Sequence, residues 1–239
     1  MKRALVTGGT KGIGLAITKM LLEEGYAVTA TYAHDSQAAQ AIQLELSGKG
    51  LPIEVVCAPQ DDKQQMEALV QHITKHGNID CIICNAGITE RGRLSDMTDD
   101  AWNRVMQVNV NSNMSLIRDL YDYISQNSRI VFISSILGIL PHSMSIAYGV
   151  SKAAEIALAK NLVKEFATVG TTVNVIAPGF VDTDWQKTKP LEIRQSICDK
   201  TAAGRFAEPE EIAEAVRFCV RNAFVNGSVI EIHGGYNYK

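Results

Sequence analysis

The chain has 239 residues, of which 46% are hydrophobic and 21% charged, a composition that fits one large or two small globular domains and excludes global disorder. The 23 lysines and arginines and 26 aspartates and glutamates leave a net charge of −3, which gives neither a basic field for nucleic acid nor a polybasic membrane tail. No run reaches the ~18 apolar residues of a membrane span, and the apolar stretch at 4–6 is too short for a signal peptide, so we expect a cytoplasmic protein.

Short apolar runs alternate with amphipathic stretches along the whole chain. In chain order we predict strand 4–6, helix 12–24, strand 27–31, helix 36–47, strand 53–57, helix 62–76, strand 81–83, helix 99–125, strand 130–133, helix 147–167, strand 172–176, helix 209–221 and strand 229–232. The strand runs are apolar at consecutive positions, which is typical of strands covered on both faces of a parallel sheet. The alternation predicts an α/β fold: a single Rossmann-type doubly wound parallel sheet of about seven strands, with helices on both faces, in one domain over 1–239.

A glycine-rich turn follows the first strand and opens the first helix. Its sequence is TGGTKGIG over residues 7–14. Glycines permit a tight turn and a close approach of the backbone to a pyrophosphate, and a helix N-terminus supplies N–H donors to it. The turn therefore predicts a dinucleotide site, with contacts from Gly8, Thr10, Lys11, Gly12, Ile13 and Gly14.

The end of the second strand bears on which dinucleotide binds. NAD usually meets an acidic residue there, bonded to the ribose 2′-hydroxyl, but the strand ends in Tyr32 and Ala33, and Asp35 comes slightly late. Lys11 in the phosphate turn could meet a 2′-phosphate, although it could also be a solvated loop lysine. The missing acid and the present base together favour NADPH.

Two groups of potential metal or redox residues have simpler interpretations. Cys81 and Cys84 form a CxxC pattern inside an apolar strand, where positions three apart point to opposite faces, and five cysteines with scattered spacing give no disulfide framework. His72 and His76 are four apart on a helix but lack the glutamate of HExxH and a third ligand. We expect buried cysteines, a solvated histidine face and no metal site.

A serine, a tyrosine and a lysine form a candidate catalytic group. Tyr148 and Lys152 are four apart and share one face of a helix, so the ammonium is expected to lower the tyrosine pKa toward the working pH of a general acid. Ser135 ends a strand 13 residues earlier, where its hydroxyl can bond a carbonyl oxygen. Each motif alone is common, but their joint occurrence after a nucleotide turn is specific.

Together these motifs resemble the short-chain dehydrogenase/reductase family over the whole chain. The matching positions are Gly8, Gly12, Gly14, Asn85, Ala86, Gly87, Asn109, Ser135, Tyr148, Lys152, Asn174, Pro178, Gly179 and Thr183. Cys84 replaces the usual first asparagine of NNAG, and Ser112 replaces a usual glycine.

The resemblance implies a role for each matching residue. Tyr148 gives a proton to the substrate carbonyl, Ser135 holds its oxygen, Lys152 lowers the tyrosine pKa and bonds the nicotinamide ribose, and Asn109 holds a water that links Lys152 to solvent. The cofactor contacts implied beyond the phosphate turn are Tyr32, Ala33, Asn85, Ala86, Gly87, Tyr148, Lys152, Pro178, Gly179, Val181 and Thr183. Either Asp61 or a shifted Pro59 takes the adenine position, and His142 and Trp185 join Ser135 and Tyr148 as candidate substrate contacts.

Segments at 85–89, 173–184 and 204–211 are most similar to the 3-oxoacyl-[acyl-carrier-protein] reductases of fatty-acid synthesis. That similarity implies NADPH-dependent reduction of a 3-oxoacyl thioester, with acyl carrier protein as a partner. However, Arg129 is the only basic residue in the segments 126–129 and 168–170, where those reductases carry a basic docking mouth. Reduction of a small free ketone, sugar or polyol therefore stays an alternative. A catalytically silent dinucleotide sensor is disfavoured because the four residues that the resemblance makes catalytic are all present: Asn109, Ser135, Tyr148 and Lys152.

Two expectations concern organisation. Residues 184–206, which include Trp185, are expected to form a substrate-binding lid, because long loops of this kind are usually functional or mobile. The family resemblance also implies a homotetramer that pairs the helices 99–125 and 147–167 and the C-terminal strands about two-fold axes.

Overall fold

A computed structural model describes residues 1–142 and 144–238, and it shows one parallel sheet of seven strands in the order β3-β2-β1-β4-β5-β6-β7. The strands are β1 (Arg3–Val6), β2 (Ala27–Tyr32), β3 (Ile53–Cys57), β4 (Ile79–Cys84), β5 (Ile124–Ile133), β6 (Thr172–Pro178) and β7 (Val229–Ile232). The helices are α1 (Gly12–Glu23), α2 (Ser36–Gly48), α3 (Lys63–Lys75), α4 (Asp99–Met106), α5 (Ser112–Asp119), α6 (Ile146–Glu165), α7 (Asp184–Lys187), α8 (Leu191–Lys200) and α9 (Pro209–Arg221). The predicted α/β class and Rossmann-type sheet are confirmed.

Both faces of the sheet are covered, and β1 shows how the sequence achieves this. Ala4 and Val6 pack in a core with residues of α1 and α9, whereas Leu5 packs in a second core with residues of α3, α5 and α6. Because side chains alternate between faces along a strand, a strand that is apolar at every position buries both faces. The consecutive apolar pattern of the sequence therefore has its structural counterpart here.

The predicted helix 99–125 is wrong in its extent. Helix α4 passes through a wider π-helical turn at Gln107–Asn111 into α5, which ends at Asp119. A short turn follows, and β5 then begins at Ile124, which pairs with Ile79 of β4. The buried Leu116, Ile117 and Leu120 keep a helical spacing to the end of the segment, so the sequence pattern did not mark where the helix stops.

The region 184–206 also differs from a single long loop. It contains the helices α7 and α8, and Arg194 of α8 is bonded to Asp182 at 3.0 Å.

No helix in the described ranges is long and apolar enough to cross a membrane.

The sheet order reverses its direction of growth at β1 and β4, because β2 and β3 lie on one side of this pair and β5 to β7 on the other. In open parallel sheets, a ligand crevice forms at the carboxyl ends of the strands beside such a reversal. The candidate site lies there.

Candidate active site

The phosphate turn has the backbone that its glycines predict. Gly8 and Gly12 adopt φ values of 64° and 50°, in the left-handed region that favours glycine. A Cβ placed on Gly14 would lie 2.1 Å from the carbonyl oxygen of Gly8, so only glycine leaves this turn its shape. The side chain of Lys11, the residue before α1, forms no cap, so the first N–H groups of the helix have no side-chain acceptor from it.

The loop after β4 is fastened to this turn. The Thr7 hydroxyl oxygen accepts hydrogen bonds from the backbone N–H groups of Asn85 and Ala86, each at 3.0 Å. The Asn85 amide donates to the carbonyl oxygens of Thr7 at 2.9 Å and Gly8 at 3.1 Å. These bonds hold the two loops on either side of the reversal point in one arrangement.

A cavity of about 710 Å³ extends from the phosphate turn along the carboxyl ends of the strands. It is large enough for a sizeable small-molecule ligand. The predicted site residues that line it are Gly8, Lys11, Gly12, Ile13, Gly14, Ala33, Asn85, Ala86, Gly87, Ser135, His142, Tyr148, Lys152, Pro178, Gly179, Val181, Thr183 and Trp185. The glycine cradle and the helix N-terminus fit a pyrophosphate, and the same cavity is lined by Ser135 and Tyr148.

Four predicted site residues do not line this cavity: Thr10, Tyr32, Asp61 and Asn109. Thr10 is buried in the phosphate turn, and Tyr32 is half-buried at the end of β2. The carboxylate of Asp61 instead accepts a bond from Arg104 of α4 at 3.2 Å. The structure therefore directs Asp61 toward α4, because that arginine offers it a charged partner.

Lys11 has a partner that bears on the choice of cofactor. It donates a hydrogen bond to the Asp35 carboxylate, which also caps α2 by accepting from the N–H of Ala38 at 3.0 Å. The bond from Lys11, together with the cap, lowers the pKa of Asp35. An acidic group thus lies beside the base that the sequence assigned to a 2′-phosphate.

Ser135, Tyr148 and Lys152 come together at the cavity. Ser135 follows β5, and its hydroxyl oxygen accepts from the N–H of Leu137 at 3.1 Å. The same hydroxyl lies close enough to the Tyr148 phenol to lower its pKa. The Lys152 ammonium lies 5.7 Å from the centre of the Tyr148 ring. A carbonyl between the serine and the tyrosine would have two hydroxyl donors directed at its oxygen.

The Lys152 ammonium is buried and fully bonded to the protein. It donates to the carbonyl oxygen of Ile133 at 2.9 Å and to both carboxylate oxygens of Glu155, at 2.8 and 3.0 Å. Burial alone would lower the pKa of Lys152, but the Glu155 carboxylate and Tyr148 outweigh burial and raise it. The lysine is therefore held as an ammonium.

The net pKa of Tyr148 differs from the direction that the sequence predicts. Burial raises it, Lys152 lowers it and Glu155 raises it again, so the sum is a raised pKa. Helical spacing reveals the lysine alone, whereas the desolvation of the phenol and the carboxylate that partly neutralises the ammonium arise from the tertiary structure. In this arrangement Tyr148 is a protonated phenol at neutral pH.

Asn109 supports the group from behind. It lies in the π-helical turn between α4 and α5, where its side-chain oxygen accepts from the N–H of Ile88 at 2.8 Å. Its amide donates to the carbonyl oxygen of Ile88 and to the Ser151 hydroxyl, each at 2.9 Å. These three bonds occupy the side chain and join the loop after β4 to α6, the helix that carries Tyr148 and Lys152.

The cavity is also lined by three basic residues to which the sequence assigned no contact. They are Arg91, Lys189 and Lys200, of which the last two lie within the predicted lid at 184–206. Burial and the nearby charges of Arg91 and Arg194 lower the pKa of Lys189, so these cations lie close to one another. Trp185 packs edge-on against Tyr148, with ring centres 6.2 Å apart. Isolated basic residues in loops give no sequence signal, and only the fold brings them together.

Comparison with known proteins identifies the family. The family model described as short chain dehydrogenase matches residues 2–193. The chain belongs to the short-chain dehydrogenase/reductase family. It is 34% identical to the 3-oxoacyl-[acyl-carrier-protein] reductase FabG of Escherichia coli over 98% of this chain and 96% of that protein.

Solved structures agree with this assignment. A short-chain dehydrogenase/reductase from Serratia marcescens superposes with a TM-score of 0.93 at 30% identity, over 99% of this chain and 98% of that one. A short chain dehydrogenase from Burkholderia cenocepacia in complex with NADP superposes with a TM-score of 0.92 at 30% identity, over 98% and 97%. The chain is accordingly an NAD(P)H-dependent oxidoreductase, and its cofactor is a nicotinamide dinucleotide.

Proposed function

We propose that this enzyme reduces 3-oxoacyl thioesters to 3-hydroxyacyl thioesters with NADPH, using Tyr148 as the general acid. The observation that carries the proposal is the placement of the Ser135 hydroxyl and the Tyr148 phenol on one cavity wall, with the Lys152 ammonium behind them and the glycine turn at the other end of the cavity. The similarity to 3-oxoacyl-[acyl-carrier-protein] reductases over nearly the whole chain supports the substrate class.

The bound nicotinamide would supply the hydride that reaches the carbonyl carbon. The chain's own residues supply the rest. Ser135 donates a hydrogen bond to the carbonyl oxygen, and Tyr148 transfers its phenolic proton to that oxygen as negative charge develops there. Lys152 then stabilises the phenolate left on Tyr148, which is the charge that burial of the tyrosine most disfavours. Addition of one hydride and one proton converts the ketone to the alcohol.

The cations that line the cavity support a thioester whose thiol part carries negative charge. Acyl groups on coenzyme A and on acyl carrier protein are attached through a phosphopantetheine arm, which carries phosphate. Arg91 and Lys189 line the same cavity as Tyr148, and burial together with the charge of Arg91 lowers the pKa of Lys189. A phosphate near them would relieve that repulsion and orient the arm.

One observation weighs against acyl carrier protein as a partner. It thereby favours the alternative substrates, a small free ketone, sugar or polyol. Arg129, the single basic residue at the expected docking mouth, donates to the carbonyl oxygens of Val220, Asn127 and Ser128 at 3.0, 2.7 and 2.9 Å. Its guanidinium is thus engaged within the fold rather than offered to an acidic partner. Coenzyme A thioesters need no such docking surface.

For the choice of cofactor, we infer NADPH from Lys11 and Ala33, which line the cavity near the end of β2. A 2′-phosphate there would compete with Asp35 for the Lys11 ammonium. The homotetramer and the cytoplasmic location stay predictions from the family resemblance and the sequence.

The test is the initial rate of cofactor oxidation with acetoacetyl groups on acyl carrier protein, on coenzyme A and on N-acetylcysteamine, each with NADPH and NADH. The proposal predicts turnover of the thioesters with a preference for NADPH. Faster turnover on carrier protein than on coenzyme A would assign the carrier as the partner. Turnover of small ketones or sugars with none of the three thioesters would replace the proposal with the alternative.

A further inference from the structure

A buried glutamate lies directly behind the candidate catalytic lysine. Glu155 is 0% exposed and lies three residues after Lys152 on α6, with its two carboxylate oxygens 2.8 and 3.0 Å from the Lys152 nitrogen. Charged side chains are almost never fully buried unless they are paired. None of the roles described above uses this carboxylate.

The geometry shows what Glu155 does to Lys152. An ammonium has three N–H donors, and here its acceptors are the Ile133 carbonyl at the end of β5 and the two oxygens of Glu155. Bonds from two different elements hold the nitrogen in one place, 5.7 Å from the Tyr148 ring. Without Glu155, the flexible Lys152 side chain would keep only the hydrogen bond that it donates to the Ile133 carbonyl oxygen.

The charges around Glu155 are few. Among the residues that the structure describes, three titratable groups interact with Glu155. Lys152 and Tyr148 lie on its own helix, and the Cys84 thiol lies on β4. Burial raises the pKa of Cys84, so it stays a neutral thiol. Burial also raises the pKa of Glu155 to about 7, although Lys152 opposes that rise. Above that pH the carboxylate is the negative charge nearest to Lys152.

We propose that Glu155 is a positioning residue for the reduction: it fixes the Lys152 ammonium beside Tyr148, and its negative charge extends to higher pH the range over which Lys152 stays charged and Tyr148 stays a phenol. The inference rests on the proposed role of Tyr148 as the proton donor, because only the protonated phenol can serve that role.

The sign of the effect is the same for both groups. A nearby negative charge disfavours a neutral lysine, which lacks the attraction, and it disfavours a tyrosine phenolate, which it repels. Whichever of the two protons is lost first, removal of the carboxylate charge makes the loss occur at lower pH. The active form, with Lys152 charged and Tyr148 protonated, then persists over a narrower alkaline range.

The experiment compares Glu155→Gln with Glu165→Gln, which removes one negative charge from an exposed position on the same helix. Two pH titrations are measured: kcat/KM for reduction, and the ultraviolet absorbance of the Tyr148 phenolate, obtained as the difference from Tyr148→Phe. Glu155→Gln should move the alkaline limit of both down by about 1–2 pH units, whereas Glu165→Gln should leave both in place.

The outcomes separate this inference from the proposed function. If Glu155→Gln lowers the unfolding temperature but moves neither titration, Glu155 only packs and the inference is wrong. If Tyr148→Phe retains activity, the proposed function fails, but the absorbance titration still decides the role of Glu155. Should Glu155→Gln not fold, Glu155→Asp keeps the charge but draws it away from the Lys152 nitrogen that it now bonds at 2.8 and 3.0 Å, and the alkaline limit of both titrations should again move down. An alkaline limit that stays in place in a folded Glu155→Asp variant would overturn the inference.

Discussion

Gly14 approaches Gly8 so closely that a Cβ on Gly14 would lie 2.1 Å from the Gly8 carbonyl oxygen. This contact closes the phosphate turn onto the first turn of α1. A Cβ is fixed to the backbone of residue 14, and the oxygen that it would meet belongs to the backbone of Gly8. Any side chain at this position would therefore push the two backbone segments apart. The shape of the turn, rather than any single side chain, is therefore the feature that we expect cofactor binding to depend on most.

Gly14→Ala should weaken nicotinamide cofactor binding by at least about tenfold, which corresponds to ~1.4 kcal/mol, because the displaced turn no longer fits a pyrophosphate. The control is Gly48→Ala at the end of α2, where an added Cβ meets no atom within 4 Å. Fluorescence titration of both variants with NADPH checks this. Equal affinity in the two would show that the turn does not contact the cofactor.

The Lys11–Asp35 pair is expected to tune the choice between NADPH and NADH. Asp35→Asn keeps a cap for α2, since asparagine is as good an N-cap as aspartate, but it removes the negative charge beside Lys11. The variant should bind NADPH more tightly and NADH with little change. Lys11→Ala should weaken NADPH more than NADH. Parallel changes for the two cofactors in both variants would remove this pair from the 2′-phosphate position.

Arg91 and Lys189 should matter for substrates that carry phosphate. Arg91→Gln and Lys189→Gln are each expected to raise KM several-fold for acetoacetyl-coenzyme A, because a charge-assisted hydrogen bond to an anion is lost. The N-acetylcysteamine thioester lacks phosphate, so its KM should be unaffected. Lys187→Gln is the matched control, since Lys187 is on the same segment and bonds Asp184. An equal rise in KM for both thioesters would indicate damage to the cavity instead of a lost phosphate contact.

The ion pair at the start of α9 should contribute stability that is lost at acidic pH. Glu211 accepts two bonds from Arg205 and one from the N–H of Glu208, and the Arg205 bond is the main cause that lowers the pKa of Glu211 to about 2. A depressed carboxyl pKa contributes stability above the ordinary value of 4.5 that is lost as pH falls toward about 2.

Glu211→Gln should accordingly lower the unfolding temperature at neutral pH by about 2–4 °C. This is the shift that ~1 kcal/mol, the upper range for an exposed ion pair, gives in a domain of this size. The difference from the unaltered protein should shrink as pH falls through this window. Glu210 is exposed in the same helical turn, and Glu210→Gln should lower the unfolding temperature by less. A difference that stays constant from neutral pH to about pH 2 would contradict the role of the Glu211 charge.

The sequence predicted the fold because both of its signals are local. Strands that are apolar at every position, such as β1, require cover on both faces, and the glycines at 8, 12 and 14 require a tight turn before a helix. The candidate catalytic residues follow from spacing, since Tyr148 and Lys152 share one helix face. Where the apolar period continued past a helix end, as at Leu116 to Leu120, the boundary could not be predicted.

Glu155 illustrates what spacing alone left out. It lies seven residues after Tyr148 and therefore on the same face of α6, but a lysine and a glutamate three apart are usually a solvated surface pair. Only its complete burial gives it a part in the site. Similarly, Arg91 in the loop after β4 and Lys189 in the loop before α8 line the same cavity. The Asp61 carboxylate bonds Arg104, which is 43 residues away in the sequence. Such long-range contacts leave no local pattern.

The most direct test of the account is the rate of NADPH oxidation with acetoacetyl-coenzyme A by the unaltered enzyme and by Tyr148→Phe, at equal and saturating cofactor. The phenylalanine keeps the ring that packs against Trp185 but has no proton to give. We expect a loss in kcat of at least about 100-fold, the lower range for a general acid, with NADPH affinity nearly unchanged. A variant with the kcat of the unaltered enzyme would contradict the assignment of Tyr148 as the proton donor.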